Sequence, residues 1–145
     1  MGALTEDVQF TERFDFPSKA ENIQVAERFI DDLCSKLEVH ESQYGNILIA
    51  LTEAVNNAIH HGNRQDPSKK VSMGHVVKDG NLIVQISDEG PGFDHEHLPD
   101  PTDPQNIEKP HGRGVFLMRA LASSVEFAEN GSTVTLAFSL APMEE

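Results

Sequence analysis

Three short stretches of this sequence carry residue types that do chemistry together. Glu53-Ala54-Val55-Asn56-Asn57-Ala58-Ile59-His60-His61-Gly62 sets a carboxylate, two amides and two imidazoles along a helical period. Ser87-Asp88-Glu89-Gly90-Pro91-Gly92-Phe93 ends an apolar run in a carboxylate and turns at once through Gly-x-Gly. His111-Gly112-Arg113-Gly114-Val115-Phe116-Leu117-Met118 opens a helical pattern with two glycines and a cation. In this order they read as a nucleotide site.

The chemistry follows from position. Leu82, Val84, Ile86 and Asp88 alternate onto one strand face, so the Asp88 carboxylate sits at the inward end of an apolar row. Such a group needs a donor, because burying it bare is costly. An exocyclic amine such as adenine N6 would serve. Gly90 and Gly92 permit positive φ and let a flat ligand approach the backbone. At about 100° per residue, Glu53, Asn57 and His60 share a helix stripe, with Asn56 and His61 flanking it. Asn57 offers a neutral carbonyl oxygen to a hard cation such as Mg²⁺. Glu53, one turn earlier, can take a proton from a hydroxyl or a water. Gly112-Arg113-Gly114 places free backbone amides at a helix start, an anion site, and Lys109 and Arg113 add positive charge there.

Each piece taken alone also fits a plainer role. Asp88 could cap its own turn, the polar stripe could face solvent, and the Gly-x-Gly pair could mark a loop-to-helix junction. His95-Glu96-His97 with His111 lacks zinc-site spacing and any cysteine partner. There is no Walker-type loop and no Gly-x-Ser-x-Gly elbow.

The elements that must position these residues are legible in outline. Val8 to Phe16 alternates as an opening strand ended by Pro17. Ser18-Lys19-Ala20-Glu21 has the form of a capping box, and Ile23, Ala26, Ile30, Leu33 and Leu37 follow at helical spacing. A second helix spans roughly Ser42 to His61, with Gly62 as its stop. Strands Val71 to Val77 and Leu82 to Asp88 join through Asp79-Gly80, a two-residue hairpin signal. From Gly90 to Pro110 periodicity vanishes and five of the eight prolines gather, which reads as a lid, a binding loop or a disordered stretch. A helix over Gly114 to Ala122 follows. Val125 to Ala128 and Ser132 to Leu140 then close as a hairpin through Asn130-Gly131. This order predicts one domain over residues 1–145, a two-layer α/β (α+β) sandwich. Its mostly antiparallel mixed sheet would carry helices on one face.

Composition narrows the class. The net charge of −13 has the wrong sign for direct nucleic-acid binding and suits solubility or a basic protein partner. No run approaches the roughly 18 apolar residues of a membrane span, and the N-terminus lacks the basic and apolar regions of a signal peptide. The lone Cys34 cannot form an internal disulfide, which suits a cytoplasmic protein, and it reads as a helix-face core residue.

Together the three stretches resemble the N, G1 and G2 boxes of the GHKL (Bergerat-fold) ATPase/kinase superfamily, above all its small bacterial anti-sigma-factor serine kinases. Glu53, Asn57 and His61-Gly62 match the N box, Asp88, Gly90 and Gly92 the G1 box, and Gly112, Gly114, Leu117 and Met118 the G2 box. Gly131-Ser132-Thr133-Val134 resembles the closing Gly-Thr segment, which gives Ser132 an adenine-side role. The resemblance implies a Bergerat ATP-binding fold that uses ATP and Mg²⁺. Asp88 would read adenine, Asn57 would hold Mg²⁺, and the amides near Gly112 and Gly114 would cradle phosphates. Glu53 would be the general base on a serine or threonine hydroxyl. It also implies a homodimer whose partners are a sigma factor and a STAS-like anti-anti-sigma protein, in a transcription-regulating kinase. Two alternatives share these residues: a non-catalytic, ATP-dependent sequestering module, and an orphan histidine-kinase ATPase domain.

Overall fold

The structure is a computed structural model that describes residues 10, 12–92 and 112–141. The elements run β1 (Glu12–Pro17), α1 (Asn22–Lys36), α2 (Glu41–Asn57), β2 (Lys70–Lys78), β3 (Asn81–Ser87), α3 (Gly112–Leu121), β4 (Ser124–Ala128) and β5 (Thr133–Ser139). The five strands form one sheet in the order β1-β2-β3-β5-β4, and every neighbouring pair is antiparallel.

Register explains the two layers. Phe16, Val71, Met73, Leu82, Val84, Ile86, Val134, Leu136 and Phe138 alternate onto one face and are buried. They share a single core with Ala26, Ile30 and Leu33 of α1, with Ile47, Leu51 and Val55 of α2, and with Val115 and Met118 of α3. The opposite face carries polar cross-strand contacts. Gln85 donates to the Thr135 hydroxyl at 3.3 Å, and the Thr133 hydroxyl donates to Ser87 Oγ at 3.2 Å. Both hairpin dipeptides adopt the left-handed backbone their types allow: Asp79 and Gly80 at φ 53° and 76°, Asn130 and Gly131 at φ 58° and 100°. Cys34 lies in the core, where burial, with Asp31 nearby, pushes its thiol up to about 11.

Two local expectations are corrected. The Ser18–Glu21 capping box does not form. The residue before α1 is Glu21, with helical backbone angles and no side-chain cap bond. Ser18 is instead fully buried: its N–H donates to Lys69 O at 2.9 Å, and its hydroxyl reaches Ile59 O at 3.4 Å. A hydroxyl buried against the Ile59 carbonyl cannot also cap a helix. The opening strand begins at Glu12, since Phe10 is not in a strand; Val8 lies outside the described residues. Pro17 is the last residue of an edge strand, where a missing N–H is tolerated. Of the expected lid, only Gly90 to Gly92 is described. Lys109 and the histidine group 95–97 with 111 lie outside the described residues.

Candidate active site

The site begins where α2 stops being an α-helix. His40 starts the helix, its Nδ1 accepting from Ser42 N at 3.0 Å. After Asn57 the chain continues as one π-helical turn, Ala58–Gly62. Such a turn admits one extra residue and re-aims the side chains on it. It brings His61 into a cleft beside Asn57, over a floor made by the small residues Ala54, Ala58 and Gly62. Ala58 O accepts from Asn63 N at 2.9 Å, the i to i+5 bond of the turn itself, while Ile59 O finds other partners in Gln65 N at 2.7 Å and the Ser18 hydroxyl. The helical run ends at Gly62 as expected, yet the left-handed residues that reverse the chain are Arg64 and Gln65, at φ 53° and 57°.

Gly62 is needed for a different reason. A Cβ there would overlap the Asp88 carboxylate, and a Cβ on Gly90 would overlap the Gly62 carbonyl. The N-box and G1 glycines therefore fit against each other. Asp88 is held from both sides: its N–H donates to Ser132 O at 2.9 Å, and its Oδ1 accepts from Gly90 N at 2.7 Å. Burial raises its carboxyl above the usual carboxylate value, opposed by the Gly90 N–H and by Lys69. His61 is shifted down by its own burial and then by the neighbouring His60.

The third stretch closes on the first. A Cβ added to Gly114 would stand 3.1 Å from both amide atoms of Asn57 and 3.2 Å from Glu53 Oε1. The second glycine of α3 thus lies directly over the carboxylate–amide pair of α2. Asn57 Nδ2 is buried there and, among the described residues, has no hydrogen-bond partner. An orphaned amide in a polar corner marks a place where a bound group would complete the bonding. Among the described residues no three His, Cys, Asp or Glu side chains gather into a metal site. The donors present are one amide and one carboxylate beside backbone N–H groups, which suits Mg²⁺ held largely by water and phosphate.

The whole forms a cleft of about 400 Å³, counted out to its open mouth. Ile86, Met118, Phe127 and Val134 make its apolar wall, while Asn57, His61, Asp88 and Ser132 supply its polar groups. Gly92, at φ 84°, abuts the Asn130 carbonyl so closely that a Cβ would overlap it. The expected residues Asn57, His61, Asp88, Gly92 and Ser132 line this cleft, and Gly90 adjoins it through Gly62 and Asp88. Glu53 lies outside the lining but touches the same Gly114. Gly112 is the first residue of α3, and the Arg113 side chain is exposed.

Sequence reasoning missed Asn63, 1% exposed, whose amide joins the ends of α2, β2 and β3. It also missed Phe127 and the Asn130 carbonyl. The one available signal was an amide following His-Gly at a helix end, which local rules assign to a solvated turn.

Comparison with known proteins agrees with this geometry. Residues 16–138 match the family model described as histidine kinase-like ATPase domain. The serine-protein kinase RsbW of Oceanobacillus iheyensis is 26% identical over 116 residues, covering 76% of this chain and 73% of that protein. RsbW of Bacillus subtilis is 28% identical over 129 residues, with 83% and 79% covered. The anti-sigma F factor of Clostridium perfringens is 29% identical over 118 residues, with 79% and 83% covered. Among solved structures, that of the RsbU and RsbW domains of Rv1364c from Mycobacterium tuberculosis aligns with a TM-score of 0.61 at 18% identity. It covers 89% of this chain, which spans only 32% of that longer one, and the likeness bears on the fold. The family match runs from the end of β1 through β5 and takes in every wall of the cleft, and the chain belongs to the histidine kinase-like ATPase domain family.

Proposed function

We propose that this protein is an ATP-dependent serine/threonine protein kinase of the anti-sigma-factor type. The observation that carries the reading is the close approach of Gly114 to Glu53 and Asn57, with Asn57 lining the same cleft as Asp88. In this reading Asp88 accepts a hydrogen bond from the adenine amine, with Ser132 beside it. The apolar wall of Ile86, Met118 and Val134 takes the base. The amides of Gly112 and Gly114 face the phosphates, with Lys109, Arg113 and His61 as further polar contacts. Asn57 holds Mg²⁺, which when bound neutralises phosphate charge. Glu53 takes the proton of a serine or threonine hydroxyl as that oxygen bonds to the terminal phosphorus and ADP departs. Phosphoryl transfer asks mainly for positioning and charge stabilisation, so this small set suffices.

The relatives named serine-protein kinase and anti-sigma factor support the choice of acceptor class. The acceptor is accordingly an anti-anti-sigma, STAS-like protein. The unphosphorylated cycle includes sequestration of a sigma factor by a homodimer in the cytoplasm. No helix among the described residues is long and apolar enough to cross a membrane.

The test is transfer of γ-labelled phosphate from Mg·ATP into extract of the source cells. One acceptor carrying acid-stable label is expected with wild type and none with Glu53→Ala, whose ATP affinity stays within a few-fold. Undiminished transfer by Glu53→Ala would remove it as the base. ATP binding without any transfer would leave a nucleotide-gated binding module.

A further inference from the structure

The structure holds a closed hydrogen-bond ring just outside the cleft, built from residues that the nucleotide reading does not use. Asn63, the residue after the π turn, donates from Nδ2 to Lys70 O at 2.9 Å. Lys70 N donates to the Glu89 carboxylate. Glu89 N donates to Asn63 Oδ1 at 2.7 Å. The ring ties the end of α2 to the start of β2 and to the turn that leaves β3. Asn63 is almost fully buried at 1% exposure, so its amide has no water to fall back on.

The ring's position gives it a consequence. Glu89 is the residue next to Asp88, and Gly62 is the residue next to Asn63. Fixing Glu89 N to Asn63 Oδ1 therefore fixes the distance between the Gly62 backbone and the Asp88 carboxylate, where no spare room exists. On the other side, the bonds Asp88 N to Ser132 O and Gly90 N to Asp88 Oδ1 complete the clamp. Without the ring, the bond among the described residues that ties the turn at Asp88-Glu89-Gly90 to another element is the one from Asp88 N to Ser132 O.

We propose that Asn63 is a specificity-determining positioning residue, which through Glu89 aims the Asp88 carboxylate and so sets the preference for adenine over guanine nucleotides. The inference rests on the reading of Asp88 as the group that meets the adenine amine. A carboxylate accepts from the N6 amine of adenine and repels the O6 carbonyl of guanine. Discrimination therefore requires the carboxylate to be held still, whereas binding of phosphates does not. Asn63 is not among the residues that line the cleft.

The experiment measures Mg·ATP and Mg·GTP dissociation constants by calorimetry, together with Tm, for wild type, Asn63→Ala and Glu89→Ala. Glu89 is exposed, so its truncation removes the bond from Lys70 N without leaving a cavity, while Glu89 N still meets Asn63 Oδ1, and the shift it causes in the ratio should be the smaller one. The expectation for Asn63→Ala is an ATP Kd raised about tenfold, the worth of one well-made hydrogen bond, with GTP changed much less. The ATP-to-GTP ratio should then fall about tenfold, and Glu89→Ala should move it in the same direction. A general loss of stability would lower Tm and weaken both nucleotides alike. A wild-type ratio retained in folded Asn63→Ala would overturn the proposal. If Asn63→Ala does not fold, an unchanged ratio in folded Asn63→Ser, whose shorter side chain cannot span both bonds, overturns it equally. Wild type that binds neither nucleotide would instead refute the underlying reading of the cleft, and this one with it.

Discussion

Replacing Gly62 by alanine separates the role of this glycine in the site from its role in the helix. A Cβ at position 62 falls on the Asp88 carboxylate, which is the movable end of a short side chain. The variant should fold with Asp88 rotated away, at the cost of the bond from Gly90 N, about 1 kcal/mol. Alanine in a helical backbone recovers about 0.5–1 kcal/mol relative to glycine, and Gly62 has no positive φ to oppose it. The two nearly cancel, so Tm should shift by less than about 4 °C. Binding has no such offset. A displaced Asp88 forfeits a charge-assisted hydrogen bond to the base worth roughly 1.5–3 kcal/mol, so ATP should bind about 10- to 150-fold more weakly. Calorimetric titration of Mg·ATP beside thermal melts of the same samples reads both numbers. A folded Gly62→Ala protein whose ATP Kd lies within twofold of wild type would refute the argument that glycine is required there by Asp88.

Two further predictions follow from the same geometry. Burial lifts the Asp88 pKa above its ordinary 3.8, so the native state binds this proton more readily than the unfolded chain does. The ionised group therefore opposes folding at neutral pH, and that cost fades as pH falls through the folded value. Asp88→Asn should raise the Tm of the nucleotide-free protein at pH 7, lose that gain at acid pH below the carboxylate range, and weaken ATP binding. A melt series in pH that shows a constant offset would contradict it. Ser18→Ala should cost about 0.5–1 kcal/mol in urea unfolding, through the lost bond to Ile59 O, whereas Glu21→Ala should be nearly silent. Equal losses from the two would restore the capping box.

The parts of the fold that were readable are those in which a few adjacent residues decide the outcome. Asp79-Gly80 and Asn130-Gly131 can take left-handed backbone, and both make the turns their types predict. Strand alternation alone placed Asp88 in line with Leu82, Val84 and Ile86, and the cleft wall bears that phase out through Ile86 and Asp88. The π turn was not readable, because its residues have the same composition and nearly the same period as the α-helix before it. What marks it is the Asn63 N to Ala58 O bond that closes it and the partners Ile59 O acquires, Gln65 N and the hydroxyl of Ser18, the last from 41 positions away. Gly62 shows the same limit in another form. Local rules explain a glycine at a helix end by the conformation of its own backbone. Here the reason stands 26 positions away, in a carboxylate that occupies the space a side chain would need.

The cleft draws its walls from the end of α2, the exit of β3, Met118 of α3 and the β4–β5 hairpin, segments that lie well apart in sequence. No short fragment contains it, and no early folding intermediate built from local contacts can display it. Nucleotide held there would consequently act as a brace from α2 to β5. At a ligand concentration a hundred times its Kd it adds about 2.7 kcal/mol to global stability. In a cell, the lifetime of this protein against proteolysis would then follow the energy charge of its surroundings, independently of whether a phosphoryl group is ever transferred.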